Sequence, residues 1–195
     1  MLGNSWKESH SMEKRVCVFL ANGFEEIEGL TVVDLLRRAE IDVTTVSITG
    51  EKVVHGAHKI DVLADEVFEE VKTYQTFDMI VLPGGMPGTN YLRDHEGVGN
   101  VLKEFSEQKK WLAAICAAPI VLGKYGILKG EQATSYPGFE EELVGAEYVE
   151  EAVALSNFVI TSRGMGTAIP FSLAIIEQLI GKEKADAIGK AIIYC

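Results

Sequence analysis

Short apolar runs alternate along this chain with longer stretches in which apolar residues recur every three or four positions. The short runs are typical of buried parallel strands, and the longer stretches are typical of amphipathic helices. Strands are predicted at residues 14–21, 43–48, 77–82, 111–115 and 157–162, and helices at 25–38, 96–110, 117–125 and 167–180.

Shorter segments fill the connections. We predict short strands at 52–54, 59–63, 132–136 and 149–154, a short helical turn at 65–71 and a closing turn at 182–190. Because strands alternate with helices at βαβ spacing, the fold class is α/β, with a doubly wound, mostly parallel sheet that carries helices on both faces. Residues 14–195 are expected to form one domain, and the polar residues 1–13 an N-terminal extension or tag.

The composition is that of an acidic globular protein. Of 195 residues, 47% are hydrophobic and 24% charged, and 29 acidic against 18 basic side chains give a net charge of -11. This acidity argues against nucleic acid and anionic membranes as main partners. No apolar run reaches the length of a membrane span and no signal peptide is visible, so we expect a cytoplasmic protein.

The chain has three cysteines, Cys17, Cys116 and Cys195. Their odd number and the lack of a Cys-x-x-Cys spacing oppose both a disulfide framework and a structural zinc site, and suit a reducing compartment. Cys17 lies inside an apolar run and is expected in the core. Cys195 is terminal and is given no role.

Cys116 lies where the predicted strand 111–115 gives way to the predicted helix 117–125. A sharp turn of this kind exposes one side chain above the sheet, and the small residues Ala117 and Ala118 allow close backbone approach. A helix N-terminus also offers unpaired N–H groups and partial positive charge, which favour a thiolate. The alternative is a cysteine buried as a small apolar residue.

Four predicted strand ends carry chemically notable residues, at 22–28, 83–88, 116–117 and 162–166. In a doubly wound sheet, ligands bind beyond the carboxyl ends of the strands. Their expected convergence on one edge is a stronger indication of a site than any one of them alone.

Three acidic residues, Glu25, Glu26 and Glu28, open the first predicted helix. Interaction with the helix dipole explains at least two of them. Glu28 points to a different side of the helix, and its carboxyl would approach the Cys116 sulfur if this helix packs beside the elbow. A carboxyl beside a thiolate keeps its proton because two anions repel. It would then donate a hydrogen bond to sulfur or pass a proton to a substrate.

Gly84 and Gly85 follow the predicted strand 77–82 and first of all indicate a tight turn. Glycine also lets a backbone N–H face a ligand. Together with the Ala117 N–H, the Gly85 N–H would form an oxyanion hole.

Cofactor and metal motifs are weak. Gly164-x-Gly166 resembles part of a dinucleotide fingerprint, but Ile169 occupies its third small position, so no cofactor is expected. The histidines are His10, His55, His58 and His95. His55 and His58 are loosely spaced on a predicted loop, which favours solvated side chains over metal ligands. No histidine is evident for a Cys-His-Asp triad.

The motifs at the strand ends occur in a characteristic order. They are Gly23-Phe24-Glu25-Glu26-Ile27-Glu28, Val81-Leu82-Pro83-Gly84-Gly85, Ala113-Ala114-Ile115-Cys116-Ala117-Ala118-Pro119 and Thr161-Ser162-Arg163-Gly164. In this order they resemble the ThiJ/PfpI superfamily, and most closely its DJ-one-like branch. The resemblance runs from about residue 14 to residue 193. It implies a flavodoxin-like sandwich and a homodimer.

The resemblance also implies roles for individual residues. Cys116 corresponds to a reactive, oxidation-prone thiol, and Glu28 to a protonated glutamate that hydrogen-bonds it. Gly85 and Ala117 correspond to positions whose amides face the thiol, and Arg163 borders the pocket.

Two departures from family patterns matter. The protease-like branch has histidine directly after the nucleophile, where this chain has Ala117, which argues against a peptidase. Animal members have histidine in the segment 134–137, where this chain has Tyr136, a poor base at neutral pH. Glu28 is therefore the expected proton carrier, with Gly84 and Tyr136 counted among the pocket residues.

Two main functions follow from the resemblance. The first is a cofactor-free, metal-free enzyme of the glyoxalase or deglycase type, which acts on reactive carbonyls and converts methylglyoxal to lactate with Cys116 as nucleophile and Glu28 as proton carrier. The alternative is an oxidative-stress sensor or redox chaperone in which an oxidant converts Cys116 to a sulfinate without turnover. A third possibility is an acidic, dimeric binding module without either behaviour.

Overall fold

A seven-stranded sheet forms the centre of the computed structural model, which describes residues 13–194. The strands are β1 (Arg15–Leu20), β2 (Asp42–Ser47), β3 (Val53–His55), β4 (Asp61–Leu63), β5 (Glu66–Val67), β6 (Met79–Leu82), β7 (Trp111–Ile115), β8 (Gln132–Ala133), β9 (Glu147–Tyr148), β10 (Val153–Ser156) and β11 (Val159–Ser162). The helices are α1 (Glu26–Arg38), α2 (Gly88–Asp94), α3 (Glu96–Glu107), α4 (Pro119–Lys124), α5 (Ala168–Ile180) and α6 (Lys182–Ala191).

The central sheet has the strand order β10-β11-β7-β6-β1-β2-β5. Its pairings are parallel except for the antiparallel pair β10–β11. The hairpin β3–β4 and the pair β8–β9 lie outside this sheet. The predicted doubly wound, flavodoxin-like α/β fold is therefore confirmed. Because β1 is flanked by β2 and β6, the chain reverses its direction of winding between β1 and β6, where ligand sites form in such sheets.

Alternation of side chains along β1 builds two core layers. Val16, Val18 and Leu20 face the layer formed with α1 and α5, and Cys17 and Phe19 face the layer formed with α3 and α4. The expected core position of Cys17 is confirmed, since its side chain is fully buried.

Several predicted elements differ from the structure. The segment 65–71 contains the short strand β5 and a single 3-10 turn at Phe68–Glu70 instead of one helical turn. Residues 182–190 belong to the helix α6, whose narrow buried stripe includes only Ala185, Ile188 and Gly189. The helix α2 was not predicted, because it has only seven residues and follows a segment rich in proline and glycine.

The carboxyl-terminal strands are also shifted from their predicted positions. The predicted strand 149–154 lies at β10, and β10 joins β11 through Asn157, which has a φ of 47°. Asparagine tolerates this left-handed conformation better than most residues. Of the predicted strand 132–136, only β8 forms.

The prediction of an extension at residues 1–13 falls, apart from Glu13, outside the described residues, as does Cys195. Among residues 13–194, every helix is too short or too polar to cross a lipid bilayer.

Candidate active site

Cys116 lies at the carboxyl end of β7 in a strained backbone conformation. Its φ is 65°, in the left-handed region that costs a residue with a side chain about 1–2 kcal/mol. Its N–H donates to the carbonyl of Ser162 at 2.9 Å, and its carbonyl accepts from the N–H of Tyr136 at 2.8 Å. The neighbouring segments therefore hold the elbow in place, and the thiol is partly exposed.

The helix after the elbow begins later than predicted. It starts at Pro119, because the N–H of Ala118 is used in a turn with the carbonyl of Ile115 at 3.0 Å. Proline is well suited to a first helical position, where no N–H is needed. Helix α4 has only six residues, so its dipole acts weakly on the Cys116 sulfur.

Glu28 in the first turn of α1 reaches the thiol. Its side chain is 1% exposed, and its carboxyl group is hydrogen-bonded to Cys116. Glu25 is the N-cap of the helix, and its Oε2 accepts from the Glu28 N–H at 2.8 Å. The helix start therefore explains Glu25, whereas Glu28 faces the elbow.

Gly84 lies between the two reactive groups. Its N–H donates to Oε2 of Glu28 at 3.0 Å. A Cβ at this position would lie 2.5 Å from the same Oε2 and 2.6 Å from Cβ of Cys116. Residue 84 must therefore be glycine, because Glu28 and Cys116 lie where a side chain would be. Its N–H donates to Glu28 and is not free to bind a ligand.

The amides of Gly85 and Ala117 both hydrogen-bond the sulfur of Cys116. Gly85 has a φ of 93°, which favours glycine, and its position brings the β6 loop beside the elbow. The structure thus brings together Cys116, Glu28 and the two amides that the sequence singled out.

Burial controls the ionisation of the acid. It raises the pKa of Glu28 to about 7, the charge of Glu25 adds to the rise, and the hydrogen bonds with Cys116 and the Gly84 amide oppose it. Near neutral pH, both the protonated and the ionised form of Glu28 are therefore populated.

The thiol differs from the expectation drawn from the helix start. Burial, followed by the charge and hydrogen bonding of Glu28, raises the pKa of Cys116 to about 12, against the lowering effect of the Ala117 and Gly85 amides. Helix α4 has only six residues and begins three residues after Cys116, so its dipole does not reverse the rise in the pKa of the thiol. When Glu28 carries a proton, however, its charge disappears and its O–H can donate to sulfur, so the thiolate is stable only beside the neutral acid.

Tyr136 and Arg163 lie at the rim of the site. The Tyr136 side chain is exposed, and its ring lies along Gly164, where a Cβ would approach the Cδ2 atom to 3.4 Å. The Arg163 Nη1 lies 3.8 Å from Oε2 of Glu150. Tyr136 reaches Cys116 through its backbone N–H, and Arg163 directly follows Ser162, whose carbonyl accepts the Cys116 N–H. No contact of either side chain with the thiol is observed.

A second cluster beside the site was missed from the sequence. The buried carboxylate of Glu26 accepts from the His58 N–H at 2.6 Å and lies 2.8 Å from Nδ1 of the same residue. With Glu25 these side chains are within metal-ligand distance of one another, but both oxygens of Glu26 already have partners. The expectation that His58 is solvated holds only in part: its ring is exposed, but Nδ1 is paired with Glu26. The sequence did contain a signal for this cluster: three acidic residues open the helix, although the helix dipole explains only about two of them.

Comparison with known proteins places the chain in a family. The model of the DJ-1/PfpI family matches residues 14–178. The chain is 40% identical over 186 residues to Protein DJ-1 homolog A of Arabidopsis thaliana, with 94% of this chain and 47% of that protein covered. It is 31% identical over 187 residues to a Schizosaccharomyces pombe protein named Glutathione-independent glyoxalase DJ-1, with 91% and 97% covered. The chain thus spans about half the length of the plant relative.

A solved structure agrees with the sequence matches. Oxidized Toxoplasma gondii DJ-1 superposes with a TM-score of 0.89 at 38% identity, and the match covers 93% of this chain and 99% of that one. The family match includes Glu28, Gly84 and Cys116. The resemblance inferred from the strand-end motifs is therefore confirmed, and the chain belongs to the DJ-1/PfpI family.

Proposed function

We propose that this protein is a cysteine-dependent enzyme that converts reactive carbonyls such as methylglyoxal to hydroxy acids without a cofactor. The observation that carries the proposal is the hydrogen-bonded pair of Cys116 and Glu28, with two backbone amides on the sulfur. The name of the Schizosaccharomyces pombe relative, a glutathione-independent glyoxalase, supports the same reaction class.

In the first step, the Cys116 thiolate adds to the aldehyde carbon of methylglyoxal. The carbonyl oxygen takes up the proton that the thiol released, which gives a hemithioacetal. The sulfur loses its charge when it bonds to carbon, so the N–H groups of Gly85 and Ala117, which bind the sulfur before the reaction, would then donate to this negatively charged oxygen. The protonated form of Glu28 favours this step, because it leaves the thiolate without a neighbouring anion.

In the second step, the Glu28 carboxylate removes the hydrogen on the former aldehyde carbon as a proton. Return of a proton to the adjacent carbon, through an enediol, leaves a lactoyl thioester on Cys116. One carbon is oxidised from aldehyde to acid level while the other is reduced from ketone to alcohol, so no external oxidant is needed. Hydrolysis then consumes one water and releases lactate and the thiol. A pKa of about 7 suits Glu28 to both roles near neutral pH.

Lactate production from methylglyoxal tests this function directly. We expect turnover by the wild-type protein, loss of turnover in Cys116→Ala and a loss of about 10²-fold or more in Glu28→Gln, in line with typical general acid–base contributions. Cys17→Ala provides the matched control, since this second thiol is buried on the other core layer. Wild-type turnover in Cys116→Ala would refute the proposal.

A second candidate function uses the same thiol as a peroxide sensor. Two molecules of peroxide would each transfer one oxygen to Cys116 and leave as water, which gives a sulfinate. Protonated Glu28 and the amides of Gly85 and Ala117, which contact the sulfur, would donate to its oxygens, and the Toxoplasma gondii relative was solved in an oxidized form. Peptide mass spectrometry after mild peroxide treatment should find two added oxygens on Cys116 before Cys17; equal oxidation of both would argue against a sensor.

We also propose a homodimer in a reducing cytoplasm. Exposed apolar side chains on α1 and the β3–β4 hairpin, among them Ile27, Leu30 and Ile60, form a continuous groove with Ile192 that suits a second copy. Light scattering should give the mass of a dimer, and Leu30→Asp should shift it towards the monomer. A monomeric wild-type protein would exclude this assembly.

A further inference from the structure

The connection between β3 and β4 lies against the start of α1, and His58 makes its shortest contacts there. The backbone N–H of His58 donates to Oε1 of Glu26 at 2.6 Å, and its ring Nδ1 lies 2.8 Å from Oε2. Glu26 is 3% exposed, whereas the side chain of His58 is 69% exposed. His58 therefore binds both oxygens of a buried carboxylate, one through its backbone N–H and the other through its titratable ring.

The surrounding backbone is fitted to this contact. The N–H of Ala57 donates to the carbonyl of Phe24 at 2.9 Å, and the N–H of Gly23 donates to the carbonyl of His55 at 2.7 Å. A Cβ on Gly56 would collide with the Glu26 carboxyl group. The connection can thus lie against the helix start only because residue 56 has no side chain.

The same helix start positions the reactive acid. Glu25 donates its N–H to the carbonyl of Gly84 at 2.9 Å and accepts the N–H of Glu28 at 2.8 Å. Its Oε1 also lies 3.7 Å from Nδ1 of His58. His58 therefore faces two carboxylates, one of which directly caps the residue that contacts the Cys116 thiol.

We propose that His58 is a positioning residue for the Cys116–Glu28 pair. It fixes the first turn of α1 through Glu26 and, when protonated, offsets the negative charge that Glu25 places beside Glu28. The effect of His58 on turnover rests on the proposed function, whereas its effect on the ionisation of the Cys116–Glu28 pair is independent of that function. The hydrogen bond with Glu26, together with the charges of Glu26 and Glu25, also raises the pKa of His58, which extends the pH range in which it is a cation.

The charged neighbours of these groups are few among the described residues. On its own hairpin, His58 has Lys59 beside it, and His55 is paired with Asp61 at 2.7 Å. At the start of α1, the N-cap Glu25 and the first helical residue Glu26 face the His58 ring. Glu28 is faced by Glu25, by the Gly84 amide and by Cys116.

The predicted effect has a definite sign. The first ionisation of the Cys116–Glu28 pair creates one negative charge, whichever group carries it. Removal of a nearby cation disfavours that charge, so it raises the pH at which the thiol becomes reactive. The effect exists only while His58 is protonated, and it disappears at higher pH.

The test is the pH profile of Cys116 alkylation by iodoacetamide, resolved by peptide mass spectrometry on the full chain. In His58→Gln, which keeps a hydrogen-bond donor for Glu26 but lacks the charge, we expect alkylation at pH 6 to be about two- to threefold slower than in wild type. The two profiles should converge at alkaline pH. His58→Ala, which also loses the side-chain hydrogen bond to Oε2 of Glu26 but keeps the backbone one to Oε1, should in addition lower kcat for methylglyoxal without a matching rise in KM. His55→Gln is the control, because its ring is paired with Asp61 and should leave the profile unchanged.

The outcomes separate this inference from the proposed function. A His58→Gln profile that superimposes on wild type at every pH would overturn the role of His58, even in an active glyoxalase. A shifted profile in a protein that forms no lactate would support the role and refute the glyoxalase. His58→Gln preserves size and hydrogen bonding, so the test stands even if His58→Ala does not fold.

Discussion

Gly84 and Glu28 are joined by a hydrogen bond that leaves no room for a side chain between the acid and the thiol. The Gly84 amide donates to Oε2 of Glu28 at 3.0 Å, and a Cβ on Gly84 would lie 2.6 Å from Cβ of Cys116. The separation of carboxyl and thiol is thus set by a backbone segment of β6 and its loop. The reactivity of the pair depends on this separation, because it determines both hydrogen bonding and repulsion.

Gly84→Ala should therefore impair the pair and the fold together. The added methyl group must displace Glu28 or Cys116, and overpacking of this kind typically costs about 1–3 kcal/mol of stability. Denaturant unfolding and the rate of Cys116 alkylation measure the two effects. Gly166→Ala is the control, since a Cβ there has no atom within 4 Å and should change neither measurement. Equal behaviour of the two variants would contradict the close approach at Gly84.

Glu28→Gln should change how stability depends on pH. The folded protein holds the Glu28 proton with a pKa of about 7, above the ordinary value of 4.5, so this group's stabilising contribution is complete at low pH and is lost as pH rises through 7. Glutamine cannot ionise. The stability of the variant relative to wild type should therefore improve by roughly 2–3 kcal/mol between pH 5 and pH 8. Urea unfolding of both proteins at the two pH values tests this. If the difference in unfolding free energy between variant and wild type does not change with pH, the pKa of Glu28 is not raised in the folded protein.

Cys116→Gly and Cys116→Ala should both lack turnover but differ in stability. The φ of 65° strains alanine as it strains cysteine, whereas glycine adopts it freely. After allowance for the greater freedom of glycine in the unfolded chain, the glycine variant should be more stable by about 1 kcal/mol. Denaturant midpoints measured side by side give the answer. If Cys116→Ala is as stable as Cys116→Gly or more stable, the backbone at residue 116 is not strained.

The sequence predicts the order of elements well because local patterns determine it. Buried runs such as those at β1 and β7 are apolar throughout, so their strands could be recognised without tertiary information. The elbow at Cys116 could also be predicted from the sequence, since Cys116 joins the apolar run of β7 to the small residues Ala117 and Ala118. Elements with little apolar pattern were harder: α6 buries a narrow stripe, and its helical state depends on packing against α5.

The parts of the site that escaped prediction depend on contacts between distant segments. Glu26 looks like an ordinary acid of a helix start, and only the hairpin that brings His58 to it, 32 positions along the chain, makes it a buried partner. The thiol shows the same limit. A helix start lowers a thiol pKa in principle, but burial and the neighbouring Glu28 decide the direction at Cys116. Neither the burial of the thiol nor its contact with Glu28 can be inferred from residues 111–125 alone.

Glu25→Gln separates the charge of the cap from its hydrogen bond. The glutamine side-chain oxygen can still accept the Glu28 N–H, so α1 should start at the same residue. The negative charge of Glu25, which helps to raise the pKa of Glu28, would be lost. The pKa of Glu28 should then fall below 7, as measured by ¹³C NMR titration of its carboxyl carbon, whereas the exposed Glu51→Gln should leave it unchanged. An unaltered Glu28 titration in Glu25→Gln would mean that burial alone holds the proton on this acid.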